Sequence, residues 1–290
     1  MTPDSGNNQN LPPVIWMYWH DGEGSAPQVV QTCIDSWRKL NPSWEVRLID
    51  KTSLPHYSDW THPVIYDPIR AIVANSNILR IGLLHRFGGV WADATCLCLR
   101  PLDEWIHGAI GAGFFAFSNP APDRLLSSWF LAAQPGNPLV EMWFSASVTF
   151  WNQNSFAKKP NAFLFNRVEK VLSSHRSRTR FWFNPIIRKG LRYYPYHWFH
   201  YLFERMVATD EQAAFIWNQR HDYPADLPHF VQKHGLYRPM TEEIIAFFNR
   251  HLLPMAKLTW KIDAEKYKPG VVLHELINQP PRLRRSTEVA

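Results

Sequence analysis

At 290 residues the chain suffices for one large domain or two smaller ones and can bury a sizeable core. Its apolar content is ordinary for a soluble protein, it contains no run of about 18 apolar residues that could span a membrane, and the polar stretch Met1 to Asn10 is no secretory signal. A net charge of +6 admits anionic small molecules or membrane surfaces as partners, and no nucleic-acid-binding signature accompanies it.

Residues 1–12 read as a flexible start. VIWMYWHDG then reads as a first strand that delivers Trp19 and His20 to its C-terminal end, where ligands of open α/β sheets bind. Trp19 is there either a base-stacking residue or a core tryptophan. From Pro27 a helical pattern runs through Val30, Cys33, Ile34 and Trp37 and stops at Asn41-Pro42, and Trp44 to Asp50 alternates like a second strand. Strand, helix and strand in this order make a βαβ unit with a parallel crossover. Lys51 to Asp67 has no clear period and reads as irregular with one short helix.

A helix over Ile69 to Phe87 follows. Ile72, Ser76, Leu79, Leu83 and Phe87 form its expected buried stripe, and Val73, Asn77, Arg80 and Leu84 a neighbouring one. Asn77 and Arg80, three apart, lie side by side and can converge on one ligand. Gly88-Gly89 ends the helix. If Val90 to Leu99 stays extended, Trp91, Asp93 and Thr95 share a face. An aromatic plate, a carboxylate and a hydroxyl together suit a nucleotide and the hard cation bound to its phosphates. The same spacing also fits a buried strand whose Asp caps a turn, and spacing leaves both readings open.

Ala109 to Pro120 reads as a glycine-punctuated strand. RLLSSWFLAAQPGNP offers a small helix or strand with Ser127, Ser128 and Trp129 as surface candidates, and Leu139 to Phe150 a helix. Residues 13–150 thus read as an α/β core, and 151–279 as a mainly helical region completing the same domain. Within it Arg176, Arg178, Arg180, Arg188, Lys189 and Arg192 interleave with Phe181, Trp182, Phe183, Ile186 and Ile187. Such a segment rests on an anionic membrane, holds an anionic acceptor, or is a solvated helix face with a partly buried aromatic side. Tyr196 to Gln219 reads as one or two helices, YPADLPHFVQ as a loop, Thr241 as a helix start and KLTWKID as extended. Residues 280–290 read as a flexible tail. Cys33, Cys96 and Cys98 are expected to be reduced, buried thiols of a cytoplasmic protein.

Taken together, VIWMYWHDG, SWRKLNPSWEVRLID, SNILRIGLLHRFGGVWADATCLCLRPLDEW, FFAF, SSWFLAAQPGNP, WFHYLF and KLTWK resemble, in order, the capsular polysaccharide synthesis proteins. These are glycosyltransferase family 32-like, related to yeast α-mannosyltransferase and the glucosylating clostridial toxins. The resemblance implies a GT-A fold, a Rossmann-like mixed sheet flanked by helices, with residues 13–150 as its nucleotide-sugar-binding core and 151–279 as its acceptor-side region. It also implies metal-assisted, retaining sugar transfer from a nucleotide-sugar donor to a polysaccharide or glycolipid acceptor in surface-glycan synthesis, at the cytoplasmic side of the membrane. Carried over by position, Trp19, Asn77, Arg80, Trp91, Asp93 and Ser128 bind the donor, Asp93 and Arg80 are catalytic, and Asp93 with Thr95 holds Mn2+ or Mg2+. Two positions depart from the pattern: Asn77 stands where many relatives carry Asp, and Thr95 where the wider superfamily has a second Asp. They motivate a competing expectation, a non-catalytic carbohydrate-binding or scaffolding protein that keeps the fold.

Overall fold

The structure, a computed structural model, describes residues 11–58, 72–154, 156 and 162–278. The expected tail, residues 1–10 of the expected flexible start and the stretch 59–71 lie outside the described residues.

Strand β1 (Val14–Tyr18) leads to helix α1 (Gln28–Leu40) and strand β2 (Glu45–Ile49), and β1 and β2 pair in parallel from Val14↔Glu45 to Tyr18↔Ile49. Helix α1 buries Val29, Val30, Cys33, Ile34 and Trp37, the stripe its spacing predicts. Asn41 ends it: the side-chain amide donates to the Trp37 carbonyl at 3.0 Å and the side-chain oxygen accepts from the Leu102 N–H at 2.6 Å. After the short helix α2 (Pro55–Ser58), helix α3 (Ile72–Phe87) feeds strand β3 (Gly89–Ala92), which lies parallel to β1 with Trp16 opposite Trp91.

Strand β4 (Cys96–Cys98) and helix α4 (Ile106–Ala109) precede the antiparallel pair β5 (Phe114–Ala121) and β6 (Arg124–Ala133). The main sheet has the order β2-β1-β3-β6-β5, parallel at β2-β1-β3 and antiparallel beyond. Helices follow: α5 (Pro138–Asn152), α6 (Ala162–Leu172), α7 (Arg176–Thr179), α8 (Pro185–Leu191), α9 (Trp198–Thr209), α10 (Glu211–Gln219), α11 (Phe230–His234) and α12 (Glu242–His251). Strand β7 (Met255–Lys257) then pairs antiparallel with β4, and helix α13 (Val272–Asn278) closes the described chain.

One apolar core joins α1 to the segments around β4, β7 and α13, and the other joins α3, α5, α9 and α10 to the sheet. A mixed sheet with helices on both sides and a mainly helical C-terminal part is the α/β, GT-A-type architecture expected.

Several local expectations are corrected. Helix α3 is not two-faced: it is buried on every side between Ala74 and Leu84, apart from half-buried Ser76, because the sheet and α5 both pack on it, while Ile72 and Val73 are exposed. The extended reading of Val90 to Leu99 fails at Asp93, where the Cys96 N–H donates to the Asp93 carbonyl at 2.8 Å and closes a turn, so β4 leaves for the second sheet. Ser127, Ser128 and Trp129 are interior residues of β6, not surface ones. The expected loop YPADLPHFVQ is irregular up to His229, where the short helix α11 takes over, and β7 overlaps the expected KLTWKID strand only at Lys257.

Gly89 has φ +90, and a Cβ added there would come within 2.5 Å of Val14 Cγ1, so the α3–β3 junction needs a glycine to bring β3 against β1. The three cysteines are free and buried. Among the described residues, no helix is long and apolar enough to cross a membrane.

Candidate functional site

The parallel register Trp16↔Trp91 brings the C-terminal ends of β1 and β3 side by side, with Trp19 just past one and Asp93 just past the other. This is where the connectivity of an open sheet leaves room for a ligand.

Asp93 is held from several directions. Its backbone N–H donates to the Trp129 carbonyl on β6 at 2.8 Å. Oδ1 accepts a hydrogen bond from Trp91 Nε1 at 2.9 Å and lies 3.2 Å from Arg80 Nη2. Arg80 in turn donates from Nη1 to the Ser128 carbonyl and, at 2.7 Å, to Ser128 Oγ, with its guanidinium 5.1 Å over the Trp91 ring. Helix α3 thereby clamps β3 to β6 through one cation. Burial lowers the Arg80 pKa, and Asp93 opposes that shift. A bidentate, stacked guanidinium suits such a place better than an ammonium would.

Trp91 is only 1% exposed. Its covered ring cannot offer a stacking face to a base, which corrects the donor-lining expectation: Trp91 orients Asp93 and carries Arg80. Arg80 and Ser128 are likewise buried and engaged with each other, and Arg80 joins Asp93 to the β6 backbone. Asn77, 4% exposed, makes no side-chain hydrogen bond among the described residues. Trp19 packs against the core and meets Trp260 edge-on, with ring centroids 6.1 Å apart. Trp260 is half exposed, and it is the more accessible aromatic of the pair.

The residue that sequence reasoning missed is Lys257. Strand β7 sets it opposite Cys96, its N–H donates to the Pro228 carbonyl at 2.8 Å, and its Nζ donates to Thr95 Oγ1 and lies 3.9 Å from Asp93 Oδ2. Nothing in the local pattern of KLTWKID marks this lysine, because the contact arises from pairing across 162 positions. His229 adjoins it, standing edge-on to Trp129 at 5.4 Å. Burial first, and then Lys257, pushes the His229 pKa down to about 4, so its ring is neutral near neutral pH.

These residues bear on the expected Mn2+ or Mg2+ at Asp93 and Thr95. The Asp93 oxygens already face Arg80, Trp91 and Lys257, and the Thr95 hydroxyl accepts from Lys257. Two cations and one carboxylate leave the cluster with a positive charge. Two unit charges about 4 Å apart interact by roughly 4 kcal/mol at an effective dielectric near 20, and a divalent ion doubles that repulsion from an ammonium. Among the described residues no group of three or more His, Cys, Asp or Glu could hold a metal ion. The residues as arranged do not fit a divalent cation. They fit an anion.

At the start of β6, Tyr201 donates to Asp123 Oδ2 at 2.6 Å, and Arg124 Nε lies 3.3 Å from Asp123 Oδ1. His197 Nδ1, His200 Nδ1, Ser127 Oγ and Trp129 Nε1 are buried with no hydrogen-bond partner among the described residues. Burial is the main cause that lowers the His197 pKa to about 4 and the His200 pKa well below its ordinary value.

Known proteins resemble this chain. The chain is 29% identical over 170 residues to O-glycosyltransferase braB of Annulohypoxylon truncatum, covering 50% of this chain and 40% of that protein. It is 27% identical over 158 residues to glycosyltransferase afumC of Aspergillus fumigatus, covering 48% and 40%. Inositol phosphoceramide mannosyltransferase 1 of Schizosaccharomyces pombe is 25% identical over 172 residues, covering 56% and 50%. The chain thus spans about two fifths to half the length of these relatives. A solved structure titled PaToxG Glycosyltransferase aligns with a TM-score of 0.38 at 15% identity, covering 49% of this chain and 62% of that one. The family suggests a metal dependence in general, without identifying a site or an ion. A family model described as capsular polysaccharide synthesis protein matches residues 2–187, well over half of the chain. The chain belongs to the family of capsular polysaccharide synthesis proteins.

Proposed function

We propose that the chain is a glycosyltransferase that takes a nucleotide-sugar donor at the ends of β1 and β3 and transfers the sugar to a hydroxyl-bearing glycan or glycolipid acceptor. The observation that carries this reading is Asp93, fixed between Arg80 and Lys257 at the end of β3. The relatives' names, an O-glycosyltransferase and an inositol phosphoceramide mannosyltransferase, support the same chemistry.

Departure of a nucleoside diphosphate develops negative charge, and a preorganised positive cluster stabilises it without reorganising. A charge-assisted hydrogen bond there contributes about 1.5 to 3 kcal/mol. Trp19 and Trp260 offer an aromatic corner to the base, and Asp93 accepts hydrogen bonds from sugar or ribose hydroxyls. Retention of the anomeric configuration, hexosyl transfer and work at the cytoplasmic face are parts of the same reading, carried by the family resemblance.

The acceptor side takes in the basic segment 176–192. There Ile186 is 80% exposed, Phe181 is also exposed, and the Arg180 guanidinium lies 5.0 Å over the Phe181 ring. Arg176, Arg180 and Arg205 line an adjacent cavity of about 220 Å³. Apolar side chains standing out among cations suit peripheral contact with an anionic membrane.

The test is hydrolysis of a nucleotide-sugar panel by the wild type and Asp93→Ala, with Mn2+ and with EDTA. At least one donor is expected to turn over, and the substitution to abolish it. Turnover that survives Asp93→Ala, or no turnover of any donor, sinks the assignment. Neutral Asn77 and Thr95 favour the second reading, a binding protein that keeps the fold. Asn77→Asp separates the two: raised turnover marks an enzyme, whereas glycan binding with no turnover in either form marks a binding protein.

A further inference from the structure

We infer that Lys257 is the cation of the donor site, and that a nucleoside diphosphate binds there without a divalent metal. This rests on the nucleotide-sugar reading above and names how that site meets its ligand's charge.

The two side chains that the sequence assigns to a metal, Asp93 and Thr95, are the two that Lys257 faces: Nζ donates to Thr95 Oγ1 and lies 3.9 Å from Asp93 Oδ2. The lysine is not a surface residue that happens to fold over. Its side chain is 15% exposed, and its backbone is fixed on both sides, by Lys257 N–H to the Pro228 carbonyl and by Leu258 N–H to the Thr95 carbonyl, each at 2.8 Å. Antiparallel pairing of β7 with β4 sets the register that brings it there.

An ammonium has three N–H donors. With one on Thr95, others remain for phosphate oxygens, while Asp93 balances only one of the two cations around it. Neutral His229 adds no competing charge. The loop that leaves β7 also supplies Trp260, which meets Trp19, so one segment brings both a phosphate-binding cation and an aromatic edge to the site.

Titration calorimetry of the purified chain with UDP and with GDP, in EDTA and in Mn2+, tests this. One of the two is expected to bind in EDTA, with Mn2+ changing Kd by no more than about threefold and Lys257→Met weakening binding about tenfold or more. Lys257→Arg keeps binding in EDTA. Lys257→Glu, which sets a second carboxylate beside Asp93, makes binding depend on Mn2+. Circular dichroism and thermal unfolding identify any variant that fails to fold, in which case the wild-type comparison and the other variants decide. Wild-type binding that requires Mn2+ overturns the inference and leaves the donor reading standing. If neither nucleotide binds under either condition, the donor reading falls and the inference with it.

Discussion

Arg80 Nη2 lies 3.2 Å from Asp93 Oδ1, and the same guanidinium holds both the carbonyl and the hydroxyl of Ser128. One buried cation thus ties helix α3, the end of β3 and the middle of β6 into a unit, so the groups that orient Asp93 also stabilise the sheet. Removing one partner of a buried pair leaves the other charged and desolvated, at a cost of about 3–5 kcal/mol when both are fully buried. Asp93 is partly exposed, with a side-chain accessibility of 28%, so Asp93→Asn is expected to cost less, about 1–3 kcal/mol. Urea unfolding measures that cost, and turnover of the active donor is expected to fall by about 100-fold or more in the same variant. Unchanged stability would mean that Arg80 does not depend on this carboxylate.

Gly89 joins α3 to β3 in a conformation closed to other residues, with Val14 directly in the way of a Cβ. Gly89→Ala is therefore expected to destabilise the fold by about 2 kcal/mol or more, or to prevent soluble expression. Gly24, whose added Cβ would meet nothing within 4 Å, is the control: Gly24→Ala is expected to stay within about 0.5 kcal/mol of the wild type in the same urea assay.

Stability is expected to fall on acidification. His197 and His229 are both held down to about 4 by burial, and His200 is depressed too. Unfolded histidine titrates near 6.5. Between these values the unfolded chain binds more protons than the folded one, so these groups contribute fully above about pH 6.5 and their contribution is lost as pH falls towards 4. Urea midpoints across that window are expected to decline steadily. Replacing His229 by Gln, which cannot be protonated there, should flatten part of the slope. A flat profile in the wild type would contradict the burial of these rings.

The exposed Ile186 and Phe181 among arginines predict salt-sensitive attachment to anionic vesicles. Flotation at low salt is expected for the wild type and is expected to weaken strongly in Ile186→Glu with Lys189→Glu, because loss of the lysine charge alone removes about 1 kcal/mol and both new carboxylates are repelled by the anionic surface. No flotation of the wild type at low salt would remove the membrane contact.

Features set by neighbouring residues were legible in the sequence. The stripe Val30, Cys33, Ile34 and Trp37 buries one side of α1 because helix periodicity and burial there act on the same residues. Thr241 caps α12 as expected, its hydroxyl accepting from the Ile244 N–H. Asp210, whose side chain accepts from the Ala213 N–H, divides α9 from α10 where the sequence left one or two helices open. The misreadings share another cause. Whether Trp91 shows its ring or covers it depends on Arg80 arriving from α3, and whether α3 has a wet face depends on α5. Lys257 is the extreme case, an ordinary lysine in an ordinary strand until β7 finds β4. The alternation at Val90 to Leu99 was real, but the turn at Asp93 sent its two halves to different sheets.

The pairing of β7 with β4 also sets an order of events. The other residues that hold Asp93 all precede Phe130 in the chain, yet Lys257 follows more than a hundred residues later. Without β7 the Arg80–Asp93 pair is charge-balanced, and Lys257 brings the excess positive charge. On the proposed reading, capture of an anion therefore waits for β7, and the strand works as the latch that completes the site well over a hundred residues downstream of the pair it joins.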